Sequence, residues 1–398
     1  MRAMEAYTEE IDDLDAAAEA LLEQTEDFVL AKNSMAILFA EEDTDYRALY
    51  TRLARYWDFP VMGCTSMAML SGRKGYCRSG VSVLLLTADD CEFSVGTTGE
   101  LDRGTYREQI AQLYHELAAQ HTSEIKLGLS YLGFDVKEQE LSGGNLLAAL
   151  DDAVDGLPIY GGAASDNLSF TGYRVFYNER EIKNGVVLAL ISGNVSPRFV
   201  RINSVDHTAS FSYEMTKTAG SVVLRLGNDT FVDALKKENM RVDQEDMMAA
   251  YMLSPFVVTV DHGNGDKVQA ARILAKLDLE TGAGIFQGAM PEGATLGIGL
   301  LTREDVCRSV ETAFTQMLRE LSQPGDEHSV LLCTSCGARY LALMNAPASE
   351  AETYKGRLPE GLSLVGFYAY GECCPVQGTK TDKEYNMFHN FTFTILAL

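Results

Sequence analysis

Short apolar runs alternate with stretches of amphipathic helical periodicity along the first third of the chain, and this alternation constrains the fold more than any other sequence feature. Residues 35–40 and 81–88 are nearly unbroken apolar, the pattern of buried strands, and residues 61–63, 92–97 and 125–131 add further strand candidates. Leu14, Ala18, Leu21, Leu22 and Phe28 recur at helical spacing, as do Tyr46, Leu49, Tyr50, Leu53 and Trp57, and residues 103–120 read as another helix. A sheet covered by helices follows, and an all-β sandwich does not.

After Pro158 consecutive strands dominate. Residues 173–177 and 185–191 flank the turn-like stretch 178–184 and are expected to pair as a hairpin. Further on come a strand at 221–226, helices at 230–238 and 244–253, strands at 257–260, 271–277 and 295–300, and a long amphipathic helix at 303–321. Strands at 329–333, 364–372 and 389–398 close the chain. The expected fold class is α+β: two mixed α/β domains with largely antiparallel sheets covered by helices, stacked as helix, sheet, sheet, helix. The first domain is placed at 30–205, with a helix from residues 1–29 packed on it, and the second at 206–398.

None of the apolar runs approaches the ~20 residues needed to cross a bilayer, so no membrane insertion is expected. Asp and Glu number 57 against 33 Lys and Arg, a net charge of −24 that repels nucleic acid and anionic membrane at long range. The acidic amino terminus does not read as a secretory leader, and eight irregularly spaced cysteines read as reduced thiols, so a cytoplasmic location is expected. A Walker loop, a dinucleotide-binding glycine fingerprint and an HExxH pair are missing from the sequence, and neither cofactor nor metal is expected.

Four segments carry candidate chemistry. Gly161-Gly162-Ala163-Ala164-Ser165-Asp166-Asn167 ends a short apolar run in a small-residue loop. Its glycines suit close approach of backbone N–H groups to an anion and Asp166 suits a bound cation, although the same pattern fits a tight turn capped by Asp166. Along Gly366-Phe367-Tyr368-Ala369-Tyr370-Gly371-Glu372, strand alternation puts Tyr368, Tyr370 and Glu372 on one face, suited to a polar ligand or simply to water. In His389-Asn390-Phe391-Thr392-Phe393-Thr394-Ile395 the apolar face carries His389, and Asn390, Thr392 and Thr394 lie opposite.

Cys333-Thr334-Ser335-Cys336-Gly337-Ala338-Arg339 is the fourth segment. Zinc would need two further ligands, and the adjacent Cys373 and Cys374 point to opposite faces of a strand. A thiol-dependent enzyme would use Cys336 as nucleophile, with a helix start and Arg339 lowering its pKa, His389 as base and Glu372 as orienter. Inert packing is the default for any single cysteine.

Taken in order, these motifs resemble the FIST family (F-box and intracellular signal transduction). Val61-Met62-Gly63-Cys64-Thr65-Ser66 and residues 160–167 resemble signatures of its N-terminal domain. Residues 214–225, Gly288-Ala289-Met290-Pro291-Glu292-Gly293, Cys336-Gly337-Ala338-Arg339, the 366–372 segment and His389-Asn390-Phe391-Thr392 resemble those of its C-terminal domain. The chain departs from the family where Ser66-Met67-Ala68 replaces a small residue and a glycine, and ligand specificity is expected to differ if that loop touches ligand.

The resemblance implies a sensory module binding a small ligand such as an amino acid or related metabolite. Its signal would leave through a separate partner such as a histidine kinase or chemoreceptor. The expected ligand-binding residues are Gly161, Gly162, Asp166, Cys336, Arg339, Tyr368, Tyr370, Glu372, Asn390 and Thr392. Arg339 would meet a carboxylate and Asp166 or Glu372 an ammonium group. The thiol enzyme is the alternative, and a structural docking protein a further one.

Overall fold

The computed structural model describes residues 1–135, 140–205, 208–243, 247–261, 266–322, 328–378, 380–381 and 383–398. Three six-stranded sheets make the body. The first runs Arg2–Thr8, Val81–Ala88, Asn33–Ala40, Val61–Thr65, Val175–Tyr177, Arg180–Ile182. The second runs Glu384–His389, Glu372–Gln377, Ile159–Ala163, Ile125–Gly133, Gly185–Gly193, Cys91–Thr97. The third runs Arg198–Asn203, Thr392–Ala397, Val330–Cys336, Ser363–Ala369, Met69–Ser71, Gly75–Cys77.

Each sheet is antiparallel except at one pair: Asn33–Ala40 with Val61–Thr65, Ile125–Gly133 with Ile159–Ala163, and Val330–Cys336 with Ser363–Ala369. Every such pair is joined through helix, because parallel neighbours need a long crossover: Tyr46–Leu53 in the first, Gly143–Val154 in the second, Gly337–Ala342 and Ser349–Tyr354 in the third.

Burial on both faces explains the unbroken apolar runs. Ala36, Leu38 and Ala40 pack with Leu21 of helix Leu14–Glu23 and with Leu49 and Leu53 of the next helix. Met35, Ile37 and Phe39 enter the central core, where the Phe39 ring meets Tyr131 edge-on at 5.4 Å and stacks on Phe367 at 4.5 Å. Helices Tyr106–Ala118 and Gly143–Val154 cover the outer face of the second sheet, so helix, sheet, sheet, helix does describe these layers. Helix Arg303–Leu321 covers the third sheet, its Phe314 ring 6.0 Å from Phe393. The fold is thus α+β with mostly antiparallel sheets.

A separate antiparallel barrel closes on itself in the order Thr208–Ala219, Thr295–Gly299, Phe256–Asp261, Lys267–Asp278, Ala283–Gln287, Val222–Leu226 and back to Thr208–Ala219. Its core holds Met215, Phe231, Phe256, Phe286 and Leu296. Residue 206, where the second domain was placed, and the first residues of the helix expected at 244–253 lie outside the described residues. Within that stretch the helix is Met247–Tyr251. Among the described residues no helix is long and apolar enough to cross a membrane.

Four expectations need correction. Residues 173–177 and 185–191 are not a hairpin: Val175–Tyr177 turns back at Asn178, which has φ 49°, to pair with Arg180–Ile182, and Gly185–Gly193 belongs to the second sheet. The single strand expected at 364–372 is two, Ser363–Ala369 in the third sheet and Glu372–Gln377 in the second. The break falls at Gly371, whose φ of 147° and missing side chain are both required, since a Cβ there would lie 2.0 Å from the Phe388 ring. Residues 389–398 break likewise at Phe391 (φ 63°) into the end of Glu384–His389 and the start of Thr392–Ala397. Finally, residues 2–8 form a strand that sequence periodicity did not reveal, because Glu5 is buried there among the N–H groups of Gly72 and Arg73.

Candidate functional site

The late motifs sit where the chain changes sheets. It leaves the first sheet for the third across residues 66–68, the third for the second at Tyr370-Gly371, and the second for the third at Asn390-Phe391. Strand ends therefore converge, but their side chains separate into three groups.

The first group surrounds Arg339. Its guanidinium is fully buried and all five N–H donors are used: Nε on Ser335 Oγ at 3.1 Å, Nη1 on Ser309 Oγ at 2.7 Å and on Ser204 Oγ, and Nη2 on Glu350 Oε1 at 2.9 Å and the Val306 carbonyl at 3.5 Å. The Tyr368 hydroxyl donates to Glu350 Oε2 at 2.9 Å. Arg339 and Tyr368, expected to meet ligand, are consumed by this internal network.

In the second group Asp166 accepts from the N–H groups of Phe170 (3.0 Å), Thr171 (2.8 Å) and Gly172 (2.7 Å), from Ser169 Oγ (2.8 Å) and from the Tyr370 hydroxyl. Burial opposes ionisation of Asp166, but the Tyr370 and Gly172 donors outweigh it and hold the carboxyl below its ordinary value. Asp166 thus caps its own turn and Tyr370 braces it. Gly161 and Gly162 likewise lie inside a strand paired on both edges, so their N–H groups form no anion nest. A Cβ on Gly161 would approach the Ser130 carbonyl to 2.0 Å.

The third group is Glu372, Thr392, Cys336, His389 and Asn390, all buried, and here the hydrogen-bond accounting does not close. Glu372 Oε2 accepts from the N–H (3.2 Å) and Oγ1 (2.6 Å) of Thr392, while Oε1 has no partner. His389 Nε2 donates to the Cys374 carbonyl at 3.0 Å, so Nδ1 carries a lone pair, and it too is unpaired. Both amide atoms of Asn390 lack partners. Glu372 and His389 face each other across paired strands. Buried polar atoms are paired in the great majority of native structures, and each exception calls for an explanation such as a bound ligand, water or ion.

Two barrel-side and edge arginines complete the electrostatics. Arg272, on Lys267–Asp278, donates Nε to the Ala289 carbonyl at 3.2 Å and Nη1 to the Ala271 carbonyl at 3.0 Å. Burial lowers its pKa to about 10, with Arg201 lowering it further and Glu372 opposing. Burial pushes the Glu372 carboxyl up to about 8 despite the Thr392 donors and the Arg339 charge. Burial, then the charges of Arg201 and Arg272, push the His389 imidazole well below its ordinary value and keep it neutral.

The Cys336 thiol is pushed well above its ordinary range by burial and by Glu372. The expectation that a helix start and Arg339 would activate it is therefore corrected, because desolvation and a neighbouring carboxylate dominate and the following helix has only six residues. Iodoacetamide at neutral pH is expected to leave Cys336 unlabelled in the native protein and to label it on unfolding. Selective native labelling of Cys336 would reinstate the nucleophile.

Sequence reasoning missed Arg272 and Arg201. The signal for Arg272 is a lone charge inside the apolar run Ala270-Ala271-Arg272-Ile273-Leu274. Arg272 also lines a cavity of about 550 Å³ at the seam between barrel and body, together with Ala289 and residues 383–388. Cys336 lines a smaller one of about 20 Å³ on the other side. Among the described residues no group of metal-ligating side chains is assembled.

A helix-covered α+β body stands beside a closed antiparallel barrel, and buried polar atoms of Glu372, His389 and Asn390 lack hydrogen-bond partners among the described residues. The chain belongs to the FIST family: the FIST N domain matches residues 34–229 and the FIST C domain residues 231–375. FIST domains are sensory domains of signal transduction. The junction of the two matched ranges falls within the barrel. The solved structure of a chorismatase is similar over 94% of this chain and 95% of that chain, at 8% identity and a TM-score of 0.37. A search of curated proteins finds no match.

Proposed function

We propose that the chain is a cytoplasmic receptor for an amino acid or closely related zwitterionic metabolite, held at Glu372, His389 and Asn390 with Arg272 opposite, which passes its state to a separate signalling protein such as a histidine kinase or chemoreceptor. The observation that carries the reading is the set of buried, unpaired polar atoms, Glu372 Oε1, His389 Nδ1, Asn390 Oδ1 and Asn390 Nδ2. Three of these accept from an ammonium group once Glu372 is ionised, and Arg272 supplies the complement for a carboxylate. Membership in a sensory family supports the same direction.

Thermal-shift measurements across the amino acids are expected to find a stabilising ligand. Asn390→Leu separates binding from folding. It removes an unpaired buried amide, so the ligand-free variant is expected to melt no lower than the parent, with a gain of about 1–3 kcal/mol where the leucine fits, while the ligand-induced shift vanishes. A panel with no stabilising amino acid, or an Asn390→Leu variant that responds like the parent, would remove this site.

A further inference from the structure

Beside the unpaired polar cluster lies a pocket of opposite character. Leu168, Phe170 and Tyr370 form one wall, Leu341 and Ala338 of the short helix after Cys336 a second, and Met248, Met252 and Ile273 from the barrel side a third. Cys336 belongs to both places: it lines this pocket, and it lies near enough to Glu372 for that carboxylate to raise the pKa of its thiol. Gln287 supplies the polar edge.

The space amounts to about 20 Å³. A cavity of roughly 10–15 Å³ on this measure holds one water, so the volume suits a single methyl-sized group. An apolar lining gives a water too few hydrogen-bond partners to be held there. Methionine is the one apolar side chain unbranched enough to fold away from a larger occupant, and two of the walls' residues, Met248 and Met252, are methionines.

We propose that this pocket receives the side chain of the ligand whose charged groups engage Glu372, Asn390 and Arg272, and that it selects a short aliphatic arm over polar, charged or long ones. The inference rests on the amino-acid reading above and specifies it. A charged arm would be stripped of water against Phe170, Ile273 and Leu341 with no ion partner, a cost that excludes it. A hydrogen atom in place of the arm leaves the pocket unfilled and forgoes the gain of about fourfold in affinity for each buried methylene.

Isothermal titration of the full chain with glycine, alanine, 2-aminobutyrate, norvaline, norleucine, aspartate and lysine tests this. Affinity is expected to peak at alanine or 2-aminobutyrate, to fall at least tenfold by norleucine, and to be undetectable for aspartate and lysine. Met252→Ala enlarges the pocket and is expected to move the optimum one or two methylenes longer. Leu341→Phe, at a partly exposed helix position, is expected to shift it toward glycine. Tightest binding by a charged amino acid, or the same ranking in both variants as in the parent, overturns the pocket's role while leaving the receptor intact. Failure of every amino acid to bind overturns the receptor reading itself.

Discussion

Glu350→Leu is expected to cost about 3–5 kcal/mol of folding stability, the range found when one member of a buried ion pair is removed. The expectation follows from what is left behind. Arg339 and Glu350 are both fully buried, joined at 2.9 Å, and no path through solvent relaxes the guanidinium once the carboxylate is gone. Two more donors lose their acceptor in the same substitution, Ser335 Oγ at 3.1 Å and the Tyr368 hydroxyl at 2.9 Å. Three elements are tied together by this one carboxylate: the end of strand Val330–Cys336, the short helix after it and strand Ser363–Ala369.

Arg339→Met differs from its partner's loss in degree: it leaves the Glu350 charge without its ion partner, but Glu350 keeps the Ser335 and Tyr368 donors, and Ser204 and Ser309 keep their bond to each other. The double variant Arg339→Met with Glu350→Leu removes both charges and is expected to lose far less than the sum of the single changes. Apolar replacements of buried pairs are often neutral. Equilibrium urea unfolding of the four proteins completes the cycle. Additive losses, or a Glu350→Leu cost below about 1 kcal/mol, would contradict the network as described.

The network also explains what the sequence could and could not convey. Strict alternation and apolar runs report burial, so Met35, Ile37 and Phe39 against Ala36, Leu38 and Ala40 were legible as a strand covered on both faces. Helix Arg303–Leu321 was legible from its amphipathic periodicity, and the structure adds a capping box of Thr302 and Asp305 at its start. Alternation does not report a change of sheet. Tyr368, Tyr370 and Glu372 have the spacing of one face, yet Gly371 turns the chain into another layer, and the three side chains end on Glu350, Asp166 and Thr392.

The same holds for Asn390 and Thr392, separated by the left-handed Phe391. A polar residue near a motif also does not announce whether another residue already satisfies it. Arg339 and Asp166 carried the right charges for a zwitterion and are spent within the protein. Glu372 and Asn390, named on the same grounds, are the ones left with unpaired atoms. The difference lies in partners more than a hundred residues apart in sequence, such as Arg339 with Ser204 or Tyr370 with Asp166.

Stability is expected to fall as the pH rises from 6.5 to 8, and Glu372→Gln to abolish that fall. The carboxyl of Glu372 sits at about 8 in the fold against 4.5 for an ordinary glutamate, chiefly through burial. The folded state therefore binds this proton more tightly than the unfolded chain. Its contribution is complete below pH 4.5 and is lost as the pH rises through 8, a total of roughly 5 kcal/mol. His389 has the opposite sign: its folded pKa lies well below 6.5, so its contribution is present above pH 6.5 and is lost as the pH falls. The two oppose each other between 4.5 and 6.5, which leaves 6.5–8 as the window in which Glu372 acts alone among the groups facing it. Arg272, at about 10, stays charged there, and the Cys336 thiol stays protonated.

Glutamine keeps the acceptor for Thr392 and cannot ionise, so urea midpoints of the variant are expected to be level across that window while the parent declines. A parallel decline in both proteins would place the titration elsewhere. An ammonium group docked beside Oε1 favours the ionised carboxylate, so ligand affinity is expected to rise as stability falls over the same interval, with release of a proton that titrations in buffers of different ionisation enthalpy would register. The cluster that weakens the ligand-free fold above neutrality is then the one that draws its ligand in.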